Sequence, residues 1–113
     1  MTVTAKNLVP AKFVEDAQTT QYTVPLTITS TIIDKFTCTN ISGSTATVSV
    51  NIVTDPDTPA SKNLIIKSKS LAASETYTFP ELVGQILQTS GCVSAIASAA
   101  SAINIRVSGR EIS

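Results

Sequence analysis

TIIDKFTCTNISGSTATVSVNIVT, running from Thr31 to Thr54, is the stretch from which the fold can be read. Its second half alternates: Ala46, Val48, Val50 and Ile52 share one face of an extended chain, and Thr47, Ser49 and Asn51 share the other. Successive side chains of a strand point to opposite faces, so this two-residue period marks a half-buried strand. The first half, Ile32 to Asn40, is rich in the β-branched and aromatic residues that suit a pleated surface. Between them Asn40-Ile41-Ser42-Gly43-Ser44 is a polar turn whose glycine supplies backbone freedom. The two halves therefore predict a β-hairpin. A lone hairpin is marginal in water, so a second layer is required.

The chain on either side supplies strands for that layer. Toward the N-terminus, Val3 and Ala5, then Leu8-Val9-Pro10, then Phe13-Val14 make a short apolar run. Pro10 cannot donate to a ladder, which confines the run to an edge. Residues 1–16 are thus expected as an outer strand of the domain's own sheet or as an extended arm paired with a neighbouring chain, and residues 17–113 as the sandwich itself. Gln18 to Thr31 is a Thr-rich extended stretch bent at Pro25.

Beyond the opening stretch, Asp55-Pro56-Asp57-Thr58-Pro59-Ala60-Ser61-Lys62 has the composition of a loop. Asn63 to Leu71 resumes a strand, with Leu64 and Ile66 on one face and Ile65, Lys67 and Lys69 on the other. A short strand at Thr76–Phe79 follows. Pro80 suits a first helical turn, Glu81 suits the positive end of a helix dipole, and Leu82, Val83, Ile86 and Leu87 recur at helical spacing. These signals predict one short helix near residues 80–88. Cys92–Ala97 and Ala102–Ser108 are two further strands. The expected fold is all-β, a single two-layer β-sandwich or jelly roll of about seven or eight short strands.

Composition narrows the function. A chain of 113 residues forms one domain. Charged residues make up 14%, against about 25% in an average soluble domain, which favours a surface partly covered by partners. Eight basic and eight acidic side chains cancel without forming a run, so nucleic-acid binding is disfavoured and association is encouraged. With no histidine, the commonest general base and a usual zinc ligand are missing. The carboxylates fall in no recognisable catalytic motif, and neither GxGxxG nor a P-loop occurs. No enzymatic activity and no cofactor are expected.

Cys38 and Cys92 lack CxxC spacing and read as two buried thiols, with a disulfide between them left open by the sequence. The N-terminus has no apolar signal core, and no stretch approaches the roughly 20 apolar residues of a membrane span, so synthesis and folding in a cytosol are expected. Asn40-Ile41-Ser42 matches a glycosylation sequon but reads as the turn. Asp34 is the one acid inside an apolar strand, where strict alternation puts it beside Ile32 and Phe36. Either a bulge turns it outward or it forms a structural ion pair, with Arg106 the foremost candidate partner beside Lys35 and Arg110.

Several strings carry a family likeness together: AQTTQYT from Ala17, TIIDKFT from Thr31, ETYTFPELVGQ from Glu75 and RVSGREI from Arg106. They resemble small virion structural proteins of tailed bacteriophages, from about Ala17 to the C-terminus. The resemblance implies a β-sandwich that decorates and cements the capsid surface by bridging capsomers, with the major capsid protein and further copies of itself as partners. Its place would be the virion, after synthesis in the host cytoplasm. The alternative it leaves open is a tail, neck or fibre-attachment module of the virion involved in host attachment. No catalytic residue comes with the family. Candidate interface residues are Lys6, Leu8, Val9 and Phe13 for contact between chains, and Asp55, Asp57 and Lys62 for contact with the shell.

Overall fold

The computed structural model describes residues 1–113. Nine strands form in chain order: β1 (Val3–Phe13), β2 (Thr19–Thr23), β3 (Ser30–Asn40), β4 (Ala46–Val53), β5 (Leu64–Leu71), β6 (Thr76–Thr78), β7 (Ile86–Gln88), β8 (Cys92–Ala97) and β9 (Ile103–Ile112). They make two antiparallel sheets. One has the order β1-β9-β3-β6, with β7 also paired to β3, and the other has the order β2-β8-β4-β5. The architecture is a β-sandwich whose core lies between the sheets, where Phe36, Val48, Val50, Phe79, Val93, Ile103 and Ile105 are fully buried.

The strands of the opening stretch form where alternation predicts, but they do not pair with each other. β3 lies in the first sheet between β9 and β6, and β4 lies in the second between β8 and β5. Residues 41–45 are therefore an arch that crosses the sandwich. The cause is local. Asn40 is fully buried, and its amide nitrogen donates to the Ser44 carbonyl (2.8 Å) and the Leu71 carbonyl (2.9 Å). Its side-chain oxygen accepts from the Ser42 backbone N–H (2.9 Å) and the Ser42 hydroxyl (2.7 Å). Both amide protons and both lone pairs are engaged. The end of β3 is thereby tied to the end of β5 in the opposite sheet. Asn40 is consequently closed to modification as a sequon.

The helix expected near residues 80–88 does not form. Leu82 N–H bonds Phe79 C=O (3.1 Å) and Gln85 N–H bonds Leu82 C=O (3.3 Å), which are single turns, and Gly84 has φ +87°. The chain then rejoins β3 as β7, pairing Ile86 with Ile32 and Gln88 with Ser30. Sheet pairing overrides a helical spacing only two turns long, which is too short to stand alone. The one helical element is a 3-10 turn at Ser61–Asn63.

Of the three register shifts in the first sheet, two shape the region around one glycine. β3 shifts register against β9 between Ile33 and Lys35, and β1 shifts against β9 between Asn7 and Val9. Both lie beside Gly109. A Cβ at that position would lie 2.1 Å from the Ile32 carbonyl oxygen and 2.8 Å from a Leu8 methyl. The bulges explain two departures from strict alternation: Asp34 and Lys35 are both exposed, and Leu8 and Val9 are both buried.

Gly109→Ala should therefore destabilise the fold by about 3 kcal/mol through overpacking, whereas Gly43→Ala, with open space around its Cβ, should stay within about 0.5 kcal/mol. Equilibrium denaturation of both variants measures the contrast.

Candidate functional site

The loop of residues 54–63 folds back over the outer face of the β2-β8-β4-β5 sheet. Along β4 the outward positions include Asn51, which pairs with the outward Ser94 of β8. Both are buried, which is unusual for outer-face residues, because the loop covers them. Asn51 Nδ2 donates to the Ala60 carbonyl (3.1 Å) and to Asn63 Oδ1 (2.7 Å). Asn63 in turn donates to the Thr58 carbonyl (2.9 Å) and accepts from the Ala60 N–H (2.9 Å). From the other side Gln18 Nε2 donates to Ser94 Oγ (2.7 Å) and Asn51 Oδ1 (3.3 Å). A buried polar group without partners costs about 1–3 kcal/mol, so a network in which each member satisfies the next holds the loop in one place.

Above this floor is an open cleft of about 380 Å³ lined by Gln18, Asn51, Pro59, Ala60, Ser61 and Leu64. The sequence-predicted loop residues are not among those that line it. Asp55, Asp57 and Lys62 are exposed, and Asp57 pairs with Lys62 at 3.3 Å. Such a solvated pair contributes little stability, at most about 1 kcal/mol. The loop is thus held from below by amides and leaves its charges exposed at the surface.

The N-terminal candidates divide. Leu8 and Val9 belong to the protein's own core, at 6% and 1% exposure, so they are not interface residues. The β1 bulge turns both inward. Phe13 is 42% exposed and lies across from Asn104, while Lys6 reaches the Glu111 carboxylate at 3.3 Å. β1 pairs with β9 along its length, so it is an edge strand of this sheet.

Asp34 is exposed, and its partner is Arg110 instead of Arg106. Arg110 Nε and Nη2 each donate at 2.9 Å to a different carboxylate oxygen. The bulge explains the choice: Arg110 sits opposite Ile32, next to Asp34, while Arg106 sits farther along, opposite Thr37. The two cysteines are free. Cys38 faces the core, where burial pushes its thiol up to about 12, and half-buried Cys92 lies on β8 of the other sheet.

Sequence reasoning missed a polar cluster inside the sandwich. The Tyr22 hydroxyl, from β2, donates to the Glu111 carboxylate of β9 and meets the Thr31 hydroxyl of β3 at 2.9 Å. All three are buried. Burial first, then the Glu111 carboxylate, raises the Tyr22 pKa, which keeps the phenol protonated and donating across the two sheets. The alternation of β9 places Glu111 on the face of Val107 and Ile105, the one signal that marks it in the sequence.

No protein-family model matches the chain, and no curated protein and no solved structure is significantly similar to it.

Two outcomes follow from these bonds. Asn51→Ala should cost about 2 kcal/mol and make residues 55–62 the first site of limited proteolysis, because it removes the two bonds that fasten the Ala60 carbonyl and Asn63 Oδ1 to β4. Glu15 is held down to about 2 by hydrogen bonds from Gln21 and then from Lys12. Its unfolded pKa is about 4.3, so its contribution is complete above that value and is lost as pH falls toward 2. With the side chain 40% exposed, screening limits that contribution to about 1 kcal/mol or less. Urea midpoints across this range should fall less steeply for Glu15→Gln than for the parent chain.

Proposed function

We propose that this chain is a non-enzymatic virion structural protein of a tailed bacteriophage. It binds the outer surface of the capsid and cements the shell by bridging capsomers, with the major capsid protein as partner. The observation that carries the reading is the clamped loop. Asn51, Asn63, Gln18 and Ser94 fix residues 54–63 from beneath, and Asp55, Asp57 and Lys62 stay exposed on that loop.

A loop already ordered before binding loses little conformational freedom on contact, so each contact retains more of its interaction energy. The low charge content and zero net charge support the same reading. Bridging requires only modest affinity at each contact, because a second contact from an already bound molecule is effectively intramolecular.

The test is location followed by loss. A cryo-EM map of the intact particle should place the sandwich on the head, and particles stripped of it should inactivate at lower temperature. The triple change Asp55→Ala, Asp57→Ala and Lys62→Ala removes only solvated side chains, so it should fold normally. It should weaken binding to stripped particles at least about tenfold. Density on the tail or neck, or undiminished binding by the folded triple variant, would overturn the reading.

A further inference from the structure

The sheet edges are poorly suited to pairing with another chain. β1 carries Pro10, Lys6 and two register shifts. β5 is interrupted at Ser68, which has φ +50° and lies beside the exposed Lys67. β2 is five residues with a register shift, and β6 and β7 are three residues each. Proline, lysine, bulges and short strands are the devices that block strand addition. One sheet is already partly covered on its outer face by the 54–63 loop. The broad surface left is the outer face of the β1-β9-β3-β6 sheet.

That face has a distinct chemistry at one end. Register places Ile86 beside Ile32 and Ile32 beside Arg110 in one row, and Ile112 beside Val3 in the next outward row. Ile86 is 56% exposed and Val3 is 50% exposed. The Asp34–Arg110 pair borders these side chains and is itself about half exposed.

We propose that this face packs against the same face of a second copy of the chain, forming a two-fold dimer. An isologous interface must be complementary to itself. A carboxylate and a guanidinium side by side satisfy that requirement, since a two-fold axis near them sets each Arg110 against the other copy's Asp34. By the same operation Ile32 and Ile86, which lie beside the pair, come against their own counterparts. The size is also adequate. Four strands about 4.8 Å apart and β3, eleven residues long, outline roughly 700 Å² per copy, or about 1,400 Å² in total, which lies within the range of specific interfaces. Twisted sheets stack at about −30° with about 10 Å between them.

The dimer does not rest on the capsid reading. It does give that reading a bridge, because it sets two clamped loops on opposite flanks of four stacked sheets, on the order of 30 Å or more apart.

Sedimentation velocity of the full chain over a wide concentration range tests the dimer. The parent chain should sediment as a reversible dimer. Ile86→Glu, at an exposed position of a short edge strand, should keep its circular dichroism and raise the dissociation constant at least about tenfold. Asp34→Arg should do the same, and the charge exchange Asp34→Arg with Arg110→Asp should recover most of the lost association. A monomeric parent chain, or an Ile86→Glu variant that dimerises like the parent, overturns the inference. A monomer that still binds stripped particles sinks the dimer alone. A dimer that ignores particles sinks the capsid reading alone.

Discussion

The side-chain amide of Asn40 is the constraint on which the sandwich depends. It accepts twice from Ser42 and donates to carbonyls of Ser44 and Leu71, so the turn after β3 closes around it and is fastened to the far sheet. Had the chain reversed within one sheet, the apolar faces of β3 and β4 would lie side by side. Because it arches, Phe36 and Cys38 on one sheet face Val48 and Val50 on the other, and the two rows become opposite walls of one core. Elsewhere the chain repeats this crossing, and only the β4–β5 and β6–β7 connections stay within a sheet.

Gly109 imposes the second constraint, and it sets the surface as much as the core. The close approach of the Ile32 carbonyl and Leu8 admits no side chain at 109, and the bulges on either flank follow the fit. The β1 bulge turns Leu8 and Val9 inward together, adding core contacts that strict alternation would forbid. The β3 bulge turns Asp34 and Lys35 outward together. Asp34 can then meet Arg110 in a paired geometry on the solvent side, at no cost of burying a charge. One backbone irregularity thus determines which side chains the interior holds and which charge pattern the outer face presents.

Most strand positions were legible because two-residue alternation is a local property. Ala46 to Ile52, Leu64 to Ile66 and Ile103 to Val107 could be read residue by residue, and β4 and β3 do pair with the second and the third of these respectively. The hairpin was misread because a hairpin and an arch have the same alternation on either side of a polar turn. The difference lies in four hydrogen bonds of one asparagine, one of which, to the Leu71 carbonyl, reaches beyond its own turn. Residues 80–88 misled for a related reason: four apolar residues at helical spacing also fit a turn that enters a strand. Arg106 was favoured over Arg110 because a bulge changes which cross-strand neighbour is nearest, and bulges leave little trace in composition. Of the loop site, Asp55, Asp57 and Lys62 were legible as exposed charges. Asn51, Asn63, Gln18 and Ser94 were not, since an amide on an outer face looks solvated until a covering loop is known.

The outer faces of the two sheets therefore do different work despite similar Thr- and Ser-rich composition. On one, Asn51 and Ser94 are buried under the 54–63 loop, and polar side chains act as internal fastenings. On the other, Ile86 and Val3 remain open beside a surface ion pair, and apolar side chains lie where solvent would be. Covering the exposed halves of Ile86 and Val3 is favourable at about 25 cal/mol per Å² of apolar surface removed from water. The observed allocation makes sense when the open face is covered by another protein surface and the loop must be held still for a contact of its own.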